Sequence, residues 1–133
     1  MAAQSKLSYT VGFPLKRRCP AAPAGPENHV SFKRLVVETA CWLTGGCTAR
    51  EDIGYWVKGA DQISAHYTGA AQREEAWTVE LCVPHNELDW THSRMRAAIV
   101  SATIGYDVDV NWVHVTCEPL QTLHFSVDEE RMK

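Results

Sequence analysis

The segment from Glu75 to Val83 has the clearest alternation in the chain. Val79, Leu81 and Val83 fall on one face of a predicted strand, and the intervening residues are polar or small. Pro84 follows directly, and proline ends such a strand because it has no backbone N–H to donate. A strand with one apolar face needs other elements packed on that face. The alternation therefore predicts an antiparallel sheet that is covered on one side.

Three further strands and two helices are predicted around this segment. The strands are Leu7 to Leu15, Cys47 to Val57, and Val108 to Cys117, with residues 120–127 either extending the last strand or adding an edge strand. The order of elements is β-α-β-β-α-β. This order is typical of a ferredoxin-like α/β (α+β) sandwich, in which one antiparallel sheet carries two helices on one face.

The two helices have recognisable ends in the sequence. Asn28 is predicted to cap the first helix, whose apolar residues recur three and four positions apart, and Gly45-Gly46 to end it. Trp42, close to this apolar stripe, is predicted to lie in the core. The second helix is predicted to start at Asn86, with Asp89 completing a capping box, and to be closed by Gly105.

Length and composition restrict the class of protein. The 133 residues predict a single domain over 1–133, with a long flexible loop at 58–73 and a frayed charged tail at 128–133. A net charge of −3 argues against nucleic-acid binding, and no apolar run approaches the ~20 residues of a membrane span. The first nine residues lack the features of a signal peptide, so a cytoplasmic protein is expected.

The cysteines and histidines do not predict a metal site. The chain has five cysteines and six histidines, but none of them form a Cys-x-x-Cys pair or a set with zinc spacing. We therefore predict no metal and no cofactor. The uncovered face of the sheet is expected to carry Trp77 or Trp112, depending on register. Because exposed tryptophan is unfavourable, we expect a homo-oligomer that packs sheet against sheet.

A cluster of aromatic and acidic residues lies at the ends of the two middle strands. An antiparallel pairing of these strands brings Tyr55 or Trp56 near Glu74 or Glu75. A carboxylate beside an aromatic face and a phenol is a combination that binds cationic ligands. The same residue types are also typical of ordinary strand ends, where aromatic and solvated acidic side chains are common.

Five short segments carry a resemblance to a known family. They are IGYW at 53–56, REEAWTVELCV at 73–83, RMRAAIVSA at 94–102, VDVNWVHV at 108–115 and LQTLHF at 120–125. Together they resemble the phage-encoded enzymes that degrade S-adenosylmethionine (SAM), formerly called SAM hydrolases and now understood as SAM lyases. The resemblance implies a PII-like sandwich that forms a homotrimer with active sites at subunit interfaces.

The resemblance also implies a reaction that needs no metal or cofactor. The methionine carboxylate of SAM attacks its own γ-carbon and expels methylthioadenosine, leaving homoserine lactone. In the cytoplasm of an infected bacterium this removes the methyl donor that host restriction-modification systems use. Hydrolysis stays open as an alternative reaction. A non-catalytic PII-like module that sequesters or senses a nucleotide-derived ligand stays open as an alternative function.

The family's catalytic residues match positions in this sequence. Its functional carboxylate corresponds to Glu74 or Glu75, and counting back from Thr78 favours Glu75. The implied role of this carboxylate is to bind the substrate ammonium group or to favour the sulfonium. The family's tyrosine matches Tyr55, which would orient the substrate through its hydroxyl, although an ungapped match puts Trp56 there.

Two more residues are predicted to bind the substrate through their backbone. Gly46 and Thr48 lie at the start of the second strand, where backbone amides can approach a ligand. The glycine serves equally well to end the preceding helix.

Overall fold

The computed structural model describes residues 3–13, 26–56, 70–108, 110, 113–121 and 125–133. Its elements are β1 (Gln4–Phe13), α1 (Pro26–Thr44), β2 (Thr48–Trp56), β3 (Gln72–Pro84), a 3₁₀ turn (His85–Glu87), α2 (Leu88–Gly105), β4 (Val113–Leu120) and α3 (Val127–Arg131).

The four strands form one antiparallel sheet in the order β2-β3-β1-β4. The two central strands of the sheet are β1 and β3, so β2 and β4 are its edges. This order, with a helix after β1 and another after β3, is the ferredoxin-like arrangement. The prediction of a β-α-β-β-α-β sandwich is therefore confirmed.

The core lies between the sheet and the two long helices. Odd-numbered residues of β1 and β3 are buried there, among them Tyr9, Val79 and Leu81. Phe32 and Met95 are fully buried on the helix side of this layer. The predicted placement of Val79, Leu81 and Val83 on one face is confirmed, because the period of two in β3 matches the pleat of the sheet.

The predicted helix caps are wrong at both N-termini. Helix α1 begins at Pro26, so Asn28 lies inside its first turn, where its side-chain amide donates a hydrogen bond to the Tyr106 carbonyl at 2.7 Å. Helix α2 begins at Leu88 after the 3₁₀ turn, and the residue at its N-cap, Glu87, makes no capping hydrogen bond. A chain that enters α2 through a tight turn has no place for the predicted capping box.

The C-terminal end of α1 is as predicted. Gly45 follows Thr44 with a φ of +85°, a left-handed conformation that glycine adopts without steric cost. Its N–H donates to the Cys41 carbonyl at 2.7 Å and so satisfies one of the last free carbonyls of the helix.

The positions predicted for two tryptophans are wrong. Trp42 is 83% exposed on the last turn of α1, although it was expected in the core. Trp77 is buried on the helix-covered face of β3, where its ring meets Phe32 edge-on at 6.1 Å. It therefore does not leave an aromatic patch on the open face. Trp112 lies outside the described residues.

The open face of the sheet is polar where the structure describes it. Arg50 of β2 donates to Glu80 of β3 at 2.6 Å, and the Thr10 and Thr78 hydroxyls are 3.0 Å apart. Side chains of this kind are compatible with water. The argument that an apolar open face requires sheet-to-sheet packing therefore does not hold for the residues described.

The remaining segments differ from the sequence prediction mainly at their ends. Strand β4 begins at Val113 instead of Val108, and the charged tail includes helix α3, which Ser126 caps by accepting from the Glu129 N–H at 3.3 Å. Strand β3 already includes residues 72 and 73, and the rest of the predicted flexible loop, apart from Ala70 and Ala71, lies outside the described residues. Within the described ranges, no helix is long and apolar enough to cross a membrane.

The Arg50–Glu80 pair makes the stability of the fold depend on pH. The hydrogen bond from Arg50, more than its charge, lowers the pKa of Glu80 below its ordinary value. Because the folded-state pKa is lower, this stabilisation is present above the unfolded pKa and is lost as pH falls through the folded one.

We expect Glu80→Gln to be less stable than the parent protein at pH 7, and we expect this difference to be smaller at pH 3. Thermal unfolding at the two pH values measures this. Glu118→Gln is the control, since Glu118 meets Lys6 only at 3.8 Å and both side chains are substantially exposed. A difference between parent and Glu80→Gln that does not change with pH would contradict the assignment.

Candidate functional site

The register of β2 against β3 brings two of the predicted site residues together. Ile53 pairs with Glu75, and Tyr55 pairs with Arg73. Tyr55 and Glu75 are therefore on the same face of the sheet at diagonal positions, a separation that long side chains can span. This is the helix-covered face at the β2 edge, so the predicted juxtaposition of a phenol and a carboxylate is present in the backbone pairing.

A cavity of about 470 Å³ opens at this place. Its lining combines one aromatic ring with charged groups of both signs. The lining residues are Phe13, Lys33, Glu51, Asp52, Ile53, Arg73, Glu75 and Ala76. Strand β1 ends here, β2 and β3 meet here, and α1 covers the inner side.

Tyr55 lies beside this cavity and does not line it. Its side chain is 64% exposed, two residues beyond Ile53 on the edge strand. Glu75 is also exposed in the single chain. Both groups can reach a bound ligand, but neither is shielded from water by this chain alone.

Gly46 and Thr48, which were also predicted to bind the substrate, are not brought into the cavity. Thr48 pairs with Glu80. It is five residues from Ile53 along β2, so the two residues are about 17 Å apart at the usual rise of a strand. Gly46 precedes Thr48 and has open space around its Cα hydrogens, since an added Cβ would meet no atom within 4 Å. Positions 74 and 56 alternate with Glu75 and Tyr55 along their strands, and their side chains lie outside the described residues.

Lys33 is the central cation of the cavity. Its Nζ is 2.9 Å from a carboxylate oxygen of Glu51 and 5.3 Å from the centre of the Phe13 ring. The centre of the Trp77 ring is 6.0 Å from the same Nζ. A lysine held by a carboxylate and two aromatic faces is oriented before any ligand arrives.

His29 lies one helical turn before Lys33 and borders the same region. Its ring stacks on Phe13 with centroids 4.7 Å apart. Burial lowers the pKa of His29, the charge of Lys33 lowers it further, and the carboxylate of Glu75 opposes both. The three groups thus share one electrostatic environment, with His29 favoured in its neutral form.

The sequence analysis did not identify His29 or Lys33. Their spacing of four residues places them on one side of α1, and Phe32 between them points into the core. The sequence shows this four-residue spacing. It indicates a shared site only when α1 is known to lie over the end of β1.

The coupling between Glu75 and His29 predicts a measurable pKa change. We expect the pKa of His29 to fall further in Glu75→Gln, because the favourable charge has been removed. Titration of the His29 ring proton by NMR measures this, and Glu118→Gln on β4 serves as a charge-matched control that leaves the pKa unchanged. An unchanged His29 pKa in Glu75→Gln would mean that the carboxylate does not act on this ring.

Two charged groups of the cavity are available for a ligand. Lys33 is paired with Glu51, and Asp52 is paired with Arg50 at 3.0 Å. Among the described residues, Glu75 and Arg73 form no salt bridge, and they are two positions apart on the same face of β3. A carboxylate and a guanidinium in this arrangement fit a ligand that carries both a cationic and an anionic group.

The residue types around the cavity do not form a metal site. In the described ranges, no group of three or more His, Cys, Asp or Glu side chains is placed to hold a metal ion.

Comparison with known proteins finds similar folds. No protein-family model matches the sequence, and no curated protein matches it. Among solved structures, CutA from Synechococcus elongatus is 14% identical and B. subtilis GlnK 10% identical, with TM-scores of 0.47 and 0.49. The aligned parts cover 98% of this chain and 87% of CutA, and 90% of this chain and 86% of GlnK.

A third solved structure is that of a Bacillus cereus protein related to NIF3. It is 14% identical with a TM-score of 0.49, and the match covers 92% of this chain but only 27% of the B. cereus protein. The ferredoxin-like assignment rests on the strand order and the pairing of this chain, since these scores lie below 0.5.

Proposed function

We propose that the protein is a SAM lyase. In the proposed reaction the substrate carboxylate forms a bond to its own γ-carbon, and the bond from that carbon to the sulfonium breaks. The electron pair of the broken bond stays on sulfur, giving neutral methylthioadenosine and protonated homoserine lactone. The resemblance of the sequence to the phage SAM-degrading enzymes suggests this reaction.

The observation that carries the proposal is the pair of available charges on β3. SAM has an ammonium group and a sulfonium for a carboxylate to meet, and its own carboxylate for a guanidinium to meet. Glu75 and Arg73 offer this combination at the mouth of one cavity. The Phe13 ring adds an apolar surface beside them.

Such a site needs no protein nucleophile. The sulfonium is already a good leaving group, so catalysis can consist of holding the substrate folded with its carboxylate close to the γ-carbon. In favourable intramolecular cases this effect reaches ~7–11 kcal/mol. Excluding water also helps, because the reaction neutralises opposite charges that water stabilises in the substrate.

We also propose that the active protein is a homotrimer with its sites at subunit interfaces. The resemblance implies this assembly, and the exposure of the site in a single chain supports it. The cavity lies at the β2 edge, and Glu75 and Tyr55 are exposed in one chain. A second copy across this edge would exclude water from both groups. Native mass measurement showing only monomer at micromolar concentration would contradict this proposal.

The proposed setting is the cytoplasm of a bacterium infected by a phage. Loss of SAM there would deprive host restriction-modification enzymes of their methyl donor. This part of the proposal rests on the sequence resemblance alone.

Product analysis tests the proposed reaction. The purified protein is mixed with SAM and the products are followed immediately by ¹H NMR, with Glu75→Gln as the matched control. Methylthioadenosine with homoserine lactone supports the lyase, whereas methylthioadenosine with homoserine from the first time point indicates a hydrolase. SAM that binds but stays intact indicates a binding module, and SAM that neither binds nor reacts refutes the site.

Tyr55→Phe separates the role of the phenol from that of the carboxylate. We expect turnover to fall about two- to tenfold, because one neutral hydrogen bond of ~0.5–1.5 kcal/mol is lost while the ring is kept. Steady-state kinetics against SAM measure the loss. A decrease as large as that of Glu75→Gln would show that the hydroxyl does more than orient the substrate.

A further inference from the structure

A second cavity of about 360 Å³ lies at the opposite edge of the sheet. It opens between α2 and the edge strand β4, whereas the site described above lies beside β2. Its lining consists of three polar side chains and four aliphatic ones. These are Tyr9, His92 and Arg96, with Ile99, Val100, Val113 and Val115.

Tyr9 and His92 form the inner polar part of this cavity. The Tyr9 hydroxyl is 2.9 Å from Nδ1 of His92, and the two rings stack with centroids 5.8 Å apart. Burial raises the pKa of Tyr9, so its hydroxyl stays protonated and can either donate or accept in this hydrogen bond. Nε2 of His92 is not used by Tyr9, and it is a donor in the tautomer in which Nδ1 accepts from the Tyr9 hydroxyl.

Arg96 lies one turn beyond His92 on the same helix. It forms no salt bridge with any carboxylate among the described residues, and its side chain is exposed. The neighbouring Arg94 differs, because its guanidinium stacks on Trp90 at 3.9 Å from the ring centre. Only Arg96 of the two belongs to the cavity.

The aliphatic wall leaves apolar surface in contact with water. Val100 is 53% exposed and Val115 is 42% exposed, while Ile99 behind them is buried. A ligand with an apolar body would cover this wall and release the water on it. A cavity of this volume is at the small end of the range for ligand sites.

We propose that this cavity binds a small organic monocarboxylate with an apolar body. The carboxylate would accept from the Arg96 guanidinium and from His92, and the apolar body would lie against Val100, Val113 and Val115. The site has one guanidinium and one imidazole, which match one carboxylate. This proposal does not depend on the proposed SAM lyase activity.

Titration with sodium hexanoate tests the site. We expect saturable shifts in ¹H–¹⁵N spectra, confined to α2 around His92 and to β4 around Val115. Arg96→Gln should weaken hexanoate binding about ten- to a hundredfold, the effect of a lost charge-assisted hydrogen bond. Arg94→Gln is the matched control and should bind as the parent protein does.

Comparison of 1-hexanol with hexanoate separates the contribution of the carboxylate to binding from that of the apolar body. 1-Hexanol should bind at least about tenfold more weakly than hexanoate, since it offers no negative charge to Arg96. The proposal is overturned if hexanoate gives no saturable shift, if the shifts lie elsewhere, if hexanol binds equally well, or if Arg94→Gln weakens binding as much as Arg96→Gln.

A second inference comes from a pair of thiols at the junction of α1 and β2. The sulfurs of Cys41 and Cys47 are 3.8 Å apart, with Cys41 exposed and Cys47 half-buried. Burial and the hydrogen bond with Cys41 raise the pKa of Cys47 to about 11. The accessible thiol of the pair is therefore Cys41.

We infer that this pair forms a reversible disulfide under peroxide. Hydrogen peroxide oxidises the Cys41 thiol to a sulfenic acid and is itself reduced to water. The Cys47 sulfur then attacks the Cys41 sulfur, releases the sulfenic oxygen as a second water, and closes the disulfide. The turn between them contains Gly45 in a left-handed conformation and Gly46, and glycine has the widest range of allowed backbone conformations.

Peptide mapping after brief treatment with hydrogen peroxide tests this inference. We expect a 41–47 disulfide that dithiothreitol reverses, while the exposed thiols of Cys82 and Cys117 stay unlinked. In Cys47→Ser no intrachain link should form, and a sulfenic-acid probe should label Cys41 instead. A link of Cys41 to another cysteine, or no link at all with Cys82 and Cys117 oxidised first, would overturn the inference.

Discussion

Turnover of SAM is expected to fall about ten- to a hundredfold when Glu75 is replaced by glutamine. The substitution keeps the shape of the side chain and removes the charge that is proposed to meet the substrate's cationic groups. A charge-assisted hydrogen bond of this kind contributes ~1.5–3 kcal/mol when water is excluded. Because Glu75 is exposed in the single chain, the full effect requires the proposed trimer to cover it.

Two controls make this result specific. Glu80→Gln removes the same charge from the same strand, but on the open face, and it should leave turnover unchanged at neutral pH when measured below the unfolding temperature. Glu74→Gln tests the alternative that the sequence leaves open. A large loss in Glu74→Gln, with turnover kept in Glu75→Gln, would move the substrate site to the other face, and normal turnover in both would refute the site.

The sheet could be predicted from the sequence because its signal is local. In β3 the apolar residues recur every two positions from Val79 to Val83, and this period fixes the buried face without knowledge of the rest of the chain. The same period extends back to Trp77, which belongs to the face of Val79. The expectation of an exposed Trp77 thus conflicts with the pattern that predicted the strand.

Trp42 shows where a helical pattern is less informative. Trp42 is ten residues after Phe32, and an α-helix turns by about 100° per residue. The direction of Trp42 therefore differs from that of Phe32 by about 80° around the helix axis, which places Trp42 at the margin of the apolar stripe. Whether a residue at the margin is buried depends on how far the sheet extends beneath the last turn. That is a tertiary property, and here the last turn leaves Trp42 in water.

The candidate site could be predicted in part for the same reason. Tyr55 and Glu75 come together because two strands joined in sequence pair antiparallel, a rule that sequence reasoning can apply. His29 and Lys33 join them from α1, and this requires the position of the helix over the end of β1. The cluster of Phe13, Lys33 and Glu51 is therefore a finding of the structure.

Phe32 is the residue whose loss should destabilise the fold most. Its side chain is fully buried and meets two rings edge-on, Phe13 at 5.8 Å and Trp77 at 6.1 Å. Removing it leaves a cavity between α1 and the sheet that rigid neighbouring rings cannot fill by collapse. Replacement of a buried phenylalanine by alanine costs ~3–5 kcal/mol in comparable cores.

We expect Phe32→Ala to lower the free energy of unfolding by about 3–5 kcal/mol, measured by denaturant titration at one fixed protein concentration so that assembly contributes equally. Trp42→Ala is the matched control, because it removes a larger ring from the same helix at an exposed position and should change stability by less than about 0.5 kcal/mol. A large loss in Trp42→Ala would show that this tryptophan is buried in an assembly of several copies. A small loss in Phe32→Ala would contradict the packing of α1 on the sheet, and with it the position of His29 and Lys33 beside Glu75.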